Sequence, residues 1–321
     1  MQNYNKFDNV FLDINKEFEK QNTFLAGVQT RGAALPKTEP KFLGGLLPYI
    51  VPLWGAFLAL LYKLGILQKL FYANICLAWF YDFKKFWVDC LGNRNIDVID
   101  FHFLRNIYRA KFQEVSLDHS DEKNPEKFLA SWQSQGNIFY LFQSVWHYSR
   151  KAYLDCWLFV KYIKKNSYVL EYGCSIAPIT QGLTKYFSYK NLKFTIADIP
   201  QISFLYARWK LAGRKDVDSI IIDSAKRDNL PEEKKYNAIF CLTVFEHLPN
   251  PLEVVESFFN HLEKDGVLIF DYIKGEATGL DSQQSMQERE GVLSFIQKNF
   301  KIIKGKNNFE NSMGLTIVQK I

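Results

Sequence analysis

The stretch VLEYGCSIAP, Val169 to Pro178, decides the fold of this chain. An apolar run ends at Glu171, one glycine follows at Gly173, and a helical pattern begins near Ile179. A tight turn between a strand and a helix brings backbone N–H groups and the positive end of the helix against a ligand. Because glycine has no Cβ, a ligand can lie directly on the main chain at Gly173.

The ligand predicted for this turn is a nucleoside that carries an amine and no phosphate. Dinucleotide sites use G-x-G-x-x-G because the pyrophosphate approaches the backbone at a second glycine. Here Ser175 and Ala177 occupy the later positions, and we expect Ser175 to narrow the turn. The carboxylate of Glu171 disfavours a phosphate group and favours a cation.

The downstream pattern predicts an α/β fold. From about Ser167 to Ile273, short apolar runs alternate with helical stretches, as in βαβ units that build a parallel sheet. A helix near 288–299, the strand FKIIK and the strand LTIVQK then follow. Two strands joined by so short a connection pair antiparallel, so the sheet is expected to end in an antiparallel hairpin.

One helix start is predicted in detail, directly after the strand YNAIFCL. Asn250 is a favourable N-cap, Pro251 suits the first helical position, and Glu253 completes an arrangement like a capping box. The residues between strand and helix, 246–249, are therefore expected to form a loop.

The first 130 residues read as a helical extension that precedes a domain at 131–321. The segment Phe42 to Tyr62 contains no charged residue, and its length permits a membrane span, but Pro48 and Pro52 interrupt it. Lysines flank this segment and give residues 37–85 a net charge of +4, from six lysines against two acids. This pattern favours contact with an anionic membrane surface, and a buried hairpin, a substrate lid or a homodimer contact are the alternatives.

Composition excludes several classes of function. The 321 residues are 48% hydrophobic, enough for a packed core, and the net charge of +6 is too small to indicate nucleic-acid binding. The five cysteines are scattered and predict neither disulfides nor a metal site. The polar N-terminus has no signal-peptide pattern, so we expect a cytoplasmic protein, with peripheral contact to the inner membrane face as an option.

Four motifs together resemble the class I S-adenosylmethionine-dependent methyltransferases, over about residues 136–321. The motifs are VLEYGCSIAP, FTIADIP, IIIDSA and YNAIFCLTVFEHLPNP, in that order. The loop E-H-L-P is similar to one branch of the family. The resemblance implies a Rossmann-like sheet of seven strands with an antiparallel last strand, and S-adenosylmethionine as cofactor.

The resemblance also implies roles for individual residues. Glu171 would hold the methionine amino group, Asp198 both ribose hydroxyls, and Asp223 with the Ser224 backbone the adenine edge. Thr243 would lie beside the sulfonium. Taken singly, an aspartate at a strand end more often caps a turn. The full implied cofactor-binding set is Glu171, Gly173, Ser175, Asp198, Ile199, Asp223, Ser224 and Thr243.

Catalysis is predicted at the loop after the fourth strand. His247 has a side chain suited to deprotonating a hydroxyl near neutral pH, and Glu246 is a candidate to orient it. The alternative is that His247 only packs or caps the turn and that Glu246 faces solvent. The loop differs from the N-P-P-Y type, which argues against methylation of DNA bases.

The acceptor is predicted to be a small molecule, a glycan or a lipid-linked compound, with O-methylation of a glycan or glycolipid preferred. Methylation of a soluble metabolite and a non-catalytic scaffold that keeps the fold are the alternatives. The aromatic-rich segment 131–148 is expected to cover the active site, although such residues also form cores. Its candidate acceptor-binding residues are Trp132, Tyr140, Trp146 and His147, with Tyr148 beside them.

Overall fold

The computed structural model describes the chain from residue 57 to residue 321, with gaps. The described residues are 57, 60, 61, 63–66, 78–93, 95–115, 117, 118, 122, 124–223, 230–275 and 279–321, without the side chains of 99 and 149–155. They fall into two compact units, divided between Asp97 and Val98.

The smaller unit is described mainly by one helix, α1, Ala78–Lys85, which continues as a π-helical turn over Phe86–Cys90. Phe83 and Trp87 are buried and stack with their ring centroids 5.5 Å apart. Most of the segment 42–62 lies outside the described residues. The predicted membrane contact extended to residue 87 with its apolar side chains facing outward, but Trp79, Phe80 and Phe86 of that region are buried. Among the helices of the described part, none has the length and apolar character that crossing a membrane requires.

The larger unit contains a seven-stranded sheet, which confirms the predicted fold class. The strand order is β3-β2-β1-β4-β5-β7-β6; β1 to β5 pair parallel, and β7 pairs antiparallel with both β5 and β6. The predicted hairpin FKIIK–LTIVQK therefore closes the sheet. The strands are β1 Tyr168–Tyr172, β2 Lys193–Asp198, β3 Val217–Ile221, β4 Tyr236–Cys241, β5 Leu262–Tyr272, β6 Phe300–Lys304 and β7 Met313–Lys320.

Seven helices are described in this unit: α2 Val98–Phe112, α3 Pro125–Trp132, α4 Ile138–Phe159, α5 Pro178–Tyr186, α6 Ile202–Lys210, α7 Pro251–His261 and α8 Gln283–Asn299. Helices α2 and α3 thus share a compact unit with the sheet, whereas the sequence suggested a boundary at residue 130. The side chain of Asn124 caps α3 by accepting two backbone N–H bonds, and Ser282 caps α8 by accepting one.

The predicted start of α7 is correct, but its predicted capping chemistry is wrong. Asn250 precedes the helix and Pro251 is its first residue, yet the Asn250 side chain accepts no helix N–H. Its amide instead donates to the Glu253 carboxylate at 3.0 Å. Because that interaction joins two side chains, it leaves the backbone donors of the first turn without this cap.

Alternating residues of the sheet divide the core into two layers. Leu170 and Tyr172 of β1 belong to the layer that packs with α7 and α8, and Val169 belongs to the layer that packs with α4 and α5. Helices on both faces leave the carboxyl ends of the parallel strands as the open edge, where folds of this type bind ligands.

Candidate active site

The loop after β1 keeps a left-handed backbone at three alternate positions. Gly173, Ser175 and Ala177 have φ values of 62°, 50° and 53°. Left-handed backbone costs a residue with a Cβ about 1–2 kcal/mol, so the loop has the geometry of a glycine-rich turn although two of these positions are not glycine. A Cβ at Gly173 would lie 2.4 Å from Cγ2 of Val244, which explains why the first glycine remains.

Glu171 is the second-last residue of β1 and binds the first turn of α5. Its two carboxylate oxygens accept the backbone N–H groups of Ile179 at 3.1 Å and Thr180 at 2.7 Å. Burial raises the pKa of Glu171 to about 7, against the opposing effect of these hydrogen bonds. The negative charge is also favourable at a helix N-terminus. Glu171 therefore fixes the strand–turn–helix unit and presents a buried carboxylate beside Gly173.

Asp198 ends β2 and ties the neighbouring loop to the same place. Its carboxylate accepts the N–H of Ser175 at 2.6 Å, the N–H of Ile199 at 2.7 Å and the side-chain amide of Gln201 at 3.0 Å. Burial raises the pKa of Asp198 to about 6, although these bonds favour the charged form. The carboxylate thus joins the two loops that were predicted to hold the cofactor.

The remaining residues of the predicted cofactor set lie around these two carboxylates. Asp223 follows β3 and is exposed, Ile199 is half-buried, and Ser224 lies outside the described residues. Thr243, with φ 56°, donates its N–H to Asp271 at 2.5 Å. Asp271 belongs to β5 and was missed by the sequence reasoning, because an acid inside an apolar strand carries no motif.

These residues surround one cavity of about 440 Å³ at the carboxyl edge of the sheet. That volume falls within the usual range for small-molecule sites. Its lining includes four carboxylates and one imidazole, and it includes no lysine or arginine among the described residues. From the predicted set it brings together Trp132, Tyr140, Glu171, Gly173, Ser175, Asp198, Ile199, Asp223, Thr243 and His247.

His247 lies in a 3₁₀ turn, Phe245–His247, and lines the cavity. Its Nδ1 is 3.1 Å from the carbonyl oxygen of Leu280 and 3.3 Å from a carboxylate oxygen of Asp281. Burial lowers the pKa of His247, but the hydrogen bond and charge of Asp281, with the charge of Glu246, outweigh burial and raise the pKa above 6.5. Both partners were missed by the sequence reasoning, since they lie more than thirty positions away along the chain.

Glu246 is buried behind the histidine and does not line the cavity. Its side chain is 2% exposed, and neither carboxylate oxygen has a hydrogen-bond partner among the residues that the structure describes. One oxygen lies 4.0 Å from Nε2 of His247. Burial raises the pKa of Glu246 to about 7, against the lowering effect of His247. Sequence reasoning proposed Glu246 as the residue that orients His247; Asp281 makes the shorter contact.

Aromatic side chains form the wall opposite the sheet. Trp132 meets the His247 ring edge-on at 5.2 Å between centroids and stacks on Tyr140 at 5.9 Å. Tyr140, Ser144 and Tyr148 line the cavity from one face of α4, four residues apart.

Two predicted acceptor-binding residues, Trp146 and His147, are absent from this lining. They belong to other faces of α4, because successive helical residues are separated by about 100°. Trp146 instead packs under the guanidinium of Arg105, 4.6 Å from its ring centroid. Tyr148, which lies beside them in sequence, does line the cavity.

The described residues 117, 118, 122 and 124–133, here called the lid, make hydrogen bonds on both sides of the cavity. At one side the Glu122 carboxylate accepts hydrogen bonds from the hydroxyl of Ser282 and the backbone N–H groups of Gln283 and Gln284, at 3.0, 2.7 and 3.1 Å. At the other side the Gln133 amide donates to the carbonyl oxygen of Pro200 at 2.6 Å. The lid therefore contacts both residues 282–284, which directly follow the His247 partners Leu280 and Asp281, and Pro200, in the loop after Asp198.

A parallel sheet with an antiparallel hairpin, a left-handed turn after β1 and buried acids near the ends of β1 and β2 are typical of α/β enzymes that bind nucleoside cofactors. The model of the methyltransferase domain family matches residues 145–311, about half of the chain. The chain belongs to this family. The predictions of a methyltransferase fold and of S-adenosylmethionine as cofactor are thereby confirmed.

Two curated relatives share part of the chain. Malonyl-acyl-carrier-protein O-methyltransferase 1 of Ilyobacter polytropus is 26% identical over 145 residues, 45% of this chain and 52% of that protein. A malonyl-acyl-carrier-protein O-methyltransferase of Bacillus cereus is 28% identical over 102 residues, 32% of this chain and 36% of that protein. The chain thus spans about half the length of the first relative and less of the second.

Solved structures with a similar fold include two methyltransferases. The N-methyltransferase NodS of Bradyrhizobium japonicum, in complex with S-adenosyl-L-homocysteine, has a TM-score of 0.41 and 12% identity, over 54% of this chain and 88% of that chain. A methyltransferase of Pyrococcus furiosus has a TM-score of 0.38 and 17% identity, over 52% of this chain and 82% of that chain.

Proposed function

We propose that this chain transfers a methyl group from S-adenosylmethionine to a hydroxyl oxygen of a small or lipid-linked acceptor, preferably a glycan or glycolipid. His247 acts as the base. The observation that carries this proposal is the fixed position of His247 in the cavity wall, with Nδ1 against the Leu280 carbonyl. A carbonyl oxygen only accepts, so Nδ1 carries the proton and Nε2 keeps the lone pair that a base needs.

The cofactor is assigned to the end of the cavity formed by Glu171, Gly173, Asp198 and Asp223. Methionine's amino group is a cation that suits the buried Glu171 carboxylate, and ribose hydroxyls are donors that suit Asp198. Gly173 lines the cavity, and the place of its missing Cβ is taken by the side chain of Val244, so the glycine serves the packing of the loop at that point. When bound, S-adenosylmethionine supplies an electrophilic methyl group on a sulfonium.

The residues around His247 prepare it to take a proton. Removing the acceptor's hydroxyl proton makes the oxygen a better nucleophile as it attacks the methyl carbon, and the proton moves to Nε2. The Asp281 carboxylate, 3.3 Å from Nδ1, then stabilises the imidazolium. Glu246 adds negative charge on the other side of the ring, at 4.0 Å. Trp132 lies edge-on to the ring, 5.2 Å between centroids, and covers part of it.

The charge of the cavity favours a neutral hydroxyl over a carboxylate. The relatives are named for O-methylation of malonyl-acyl carrier protein, which supports oxygen as the atom methylated. Recognition of a malonyl carboxylate calls for a cation, yet the described lining holds four carboxylates and neither lysine nor arginine. A carboxylate also needs no base, whereas a hydroxyl does. Trp132, Tyr140 and Tyr148 offer faces for a sugar ring or an apolar tail.

A transfer assay with methyl-labelled S-adenosylmethionine tests the proposal. The acceptors are lipid-linked glycans from cell-envelope extracts, free sugars and malonyl-acyl carrier protein. We expect alkali-stable label in the lipid-linked fraction, because methyl ethers resist the hydrolysis that removes methyl esters. His247→Gln should lower this transfer by about 10²- to 10⁴-fold. His102→Gln, which alters a histidine of α2 outside the cavity, is the matched control.

Two outcomes contradict the proposal. The first is label confined to malonyl-acyl carrier protein as an alkali-labile ester. The second is transfer to the glycan fraction at equal rates by wild type and His247→Gln, which would show that His247 has only a structural role in the turn.

A further inference from the structure

A surface of the larger unit combines exposed aromatic side chains with lysines. It is formed by the exposed residues of segments 157–168 and 185–193, here called the basic aromatic patch. The two segments adjoin: the rings of Trp157 and Phe187 lie 6.2 Å apart, and Lys190 donates to the Ile163 carbonyl at 2.8 Å. Asn166 and Asn191 are also joined by a side-chain hydrogen bond of 2.8 Å.

The charge of the patch has one sign. Lys161, Lys164, Lys165, Lys185 and Lys193 are exposed, while the only carboxylate between residues 156 and 197 is the buried Glu171. Among the ion pairs formed by described residues, none involves one of these five lysines. Surface lysines are usually interspersed with acidic residues. Five lysines without neighbouring acids repel one another, and an anionic partner would relieve this repulsion.

The aromatic residues of the patch are unusually open to solvent. Trp157 is 60% exposed and Tyr189 is 65% exposed, and Tyr168 and Tyr186 are also exposed. Tryptophan and tyrosine with neighbouring lysines are typical of protein surfaces that lie at the headgroup level of a bilayer. Leu158, 47% exposed, belongs to the patch and also lines the cavity, so the surface adjoins the active site.

We propose that the basic aromatic patch docks the chain on an anionic lipid bilayer. This inference goes beyond the proposed methyl transfer and does not depend on it. The lysines supply an attraction that salt weakens, and Trp157 and Tyr189 supply a shallow apolar contact that salt does not weaken. A bilayer is favoured over an acidic protein because the lysines are combined with an exposed tryptophan and three exposed tyrosines, the aromatic residues enriched at the headgroup level of membranes.

Vesicle binding by the full-length protein tests the patch. The vesicles contain phosphatidylcholine alone or mixed with phosphatidylglycerol, and bound protein is measured by sedimentation. We expect binding only to the anionic vesicles, and less as NaCl rises from about 0.1 M to about 1 M, since the Debye length falls from about 10 Å to about 3 Å. The triple variant Lys161→Glu/Lys164→Glu/Lys185→Glu should bind at least about a hundredfold more weakly, at roughly fivefold per lysine.

The matched control is Lys298→Glu/Lys301→Glu/Lys304→Glu, which makes the same charge change on exposed residues at the far sheet edge. Strand β6 is four strands from β1, roughly 19 Å at the usual spacing, which exceeds the Debye length at about 0.1 M salt. Trp157→Ala should weaken binding about tenfold at low and high salt alike. Thermal unfolding and S-adenosyl-L-homocysteine binding verify that each variant is folded.

Three results overturn the docking proposal. One is the absence of vesicle binding by the wild type, including the case in which an acidic carrier protein binds the patch instead. Another is equal loss of binding in the two triple variants, which would show a general charge effect. The third is undiminished binding by the patch variant, which would place the contact elsewhere, for example in segment 42–62.

Discussion

The two ends of the cavity satisfy their buried polar groups in different ways. At the cofactor end, Glu171 and Asp198 together accept four backbone N–H bonds and one side-chain amide bond. At the acceptor end, the indole nitrogen of Trp132 and, behind the cavity wall, both oxygens of Glu246 are buried without a hydrogen-bond partner in the described part of the chain.

This difference separates a preformed site from one that a ligand can complete. Carboxylates tied to the main chain hold the cofactor loops in place before anything binds, at little cost in reorganisation. Unpartnered buried groups raise the free energy of the empty site, and a ligand or proton that satisfies them recovers it. On the proposed assignment of the cavity, we therefore expect a rigid cofactor end and an adaptable acceptor end.

Gly173→Ala should have the largest effect and would break the rigid end. The new Cβ meets Val244 at 2.4 Å and the residue keeps φ near 62°. Overpacking and left-handed backbone together should cost about 2–5 kcal/mol of unfolding free energy and abolish cofactor binding. Urea unfolding and calorimetry with S-adenosyl-L-homocysteine measure both. Gly173→Ala/Val244→Ala should recover part of the stability; no recovery would exclude the steric explanation.

Asp198→Ala should weaken cofactor binding by about 10- to 150-fold. A hydrogen bond to a charged group contributes about 1.5–3 kcal/mol, and losing that free energy corresponds to this change in affinity. The loop also loses the bond from the Ser175 N–H, so the rigid end becomes looser. Isothermal titration calorimetry measures the affinity. Asp218→Asn, an exposed acid on the neighbouring strand β3, is the control. Equal affinity in Asp198→Ala and wild type would contradict a ligand-binding role.

Glu246→Gln sharpens the comparison through the pH dependence of stability. The folded pKa of Glu246 is raised to about 7 from 4.5, so its protonated form stabilises the fold below pH 4.5 and that stabilisation is lost as pH rises through 7. Glutamine does not titrate. Between pH 5 and pH 8, the free energy of unfolding of Glu246→Gln should therefore rise by about 1–3 kcal/mol relative to that of wild type. Urea unfolding across this range measures the gain. Glu256→Gln, on the exposed side of α7, should show none.

Ser175→Gly should have the smallest effect. Glycine relieves the left-handed backbone at φ 50° but makes the unfolded chain more flexible. The two terms nearly cancel and leave a gain of about 0–1 kcal/mol. Ser175→Ala keeps the backbone cost and serves as the control. A clear loss of stability in Ser175→Gly, absent from Ser175→Ala, would show that the loop is not strained at this position.

The two ends also differ in how far the sequence predicts them. Glu171, Gly173 and Asp198 lie at or directly after the ends of strands that the apolar pattern marks clearly. Because the strands are parallel, these ends meet at one edge of the sheet, and the sequence predicts that the three residues lie close together. The partners of His247 come from Leu280 and Asp281, and its aromatic neighbour Trp132 comes from the lid. No local motif carries such contacts, because they depend on how distant segments pack.

Helical geometry explains the predicted acceptor residues that do not line the cavity. A list of aromatic residues from 131–148 cannot state which face of α4 meets the cavity until the helix is placed against the sheet. The structure places Tyr140, Ser144 and Tyr148 on that face, and leaves Trp146 with Arg105. Membrane contact through 42–62 and a homodimer contact stay predictions.

The pH–rate profile of methyl transfer by wild type and Asp281→Asn tests most directly whether His247 is the base. In the wild type the rate should fall on the acid side with an apparent pKa above 6.5, because Asp281 and Glu246 raise the pKa of His247. Asp281→Asn removes one of these charges, so the acid limb should move to lower pH. A wild-type profile without an acid limb, or an identical limb in both proteins, would contradict the account.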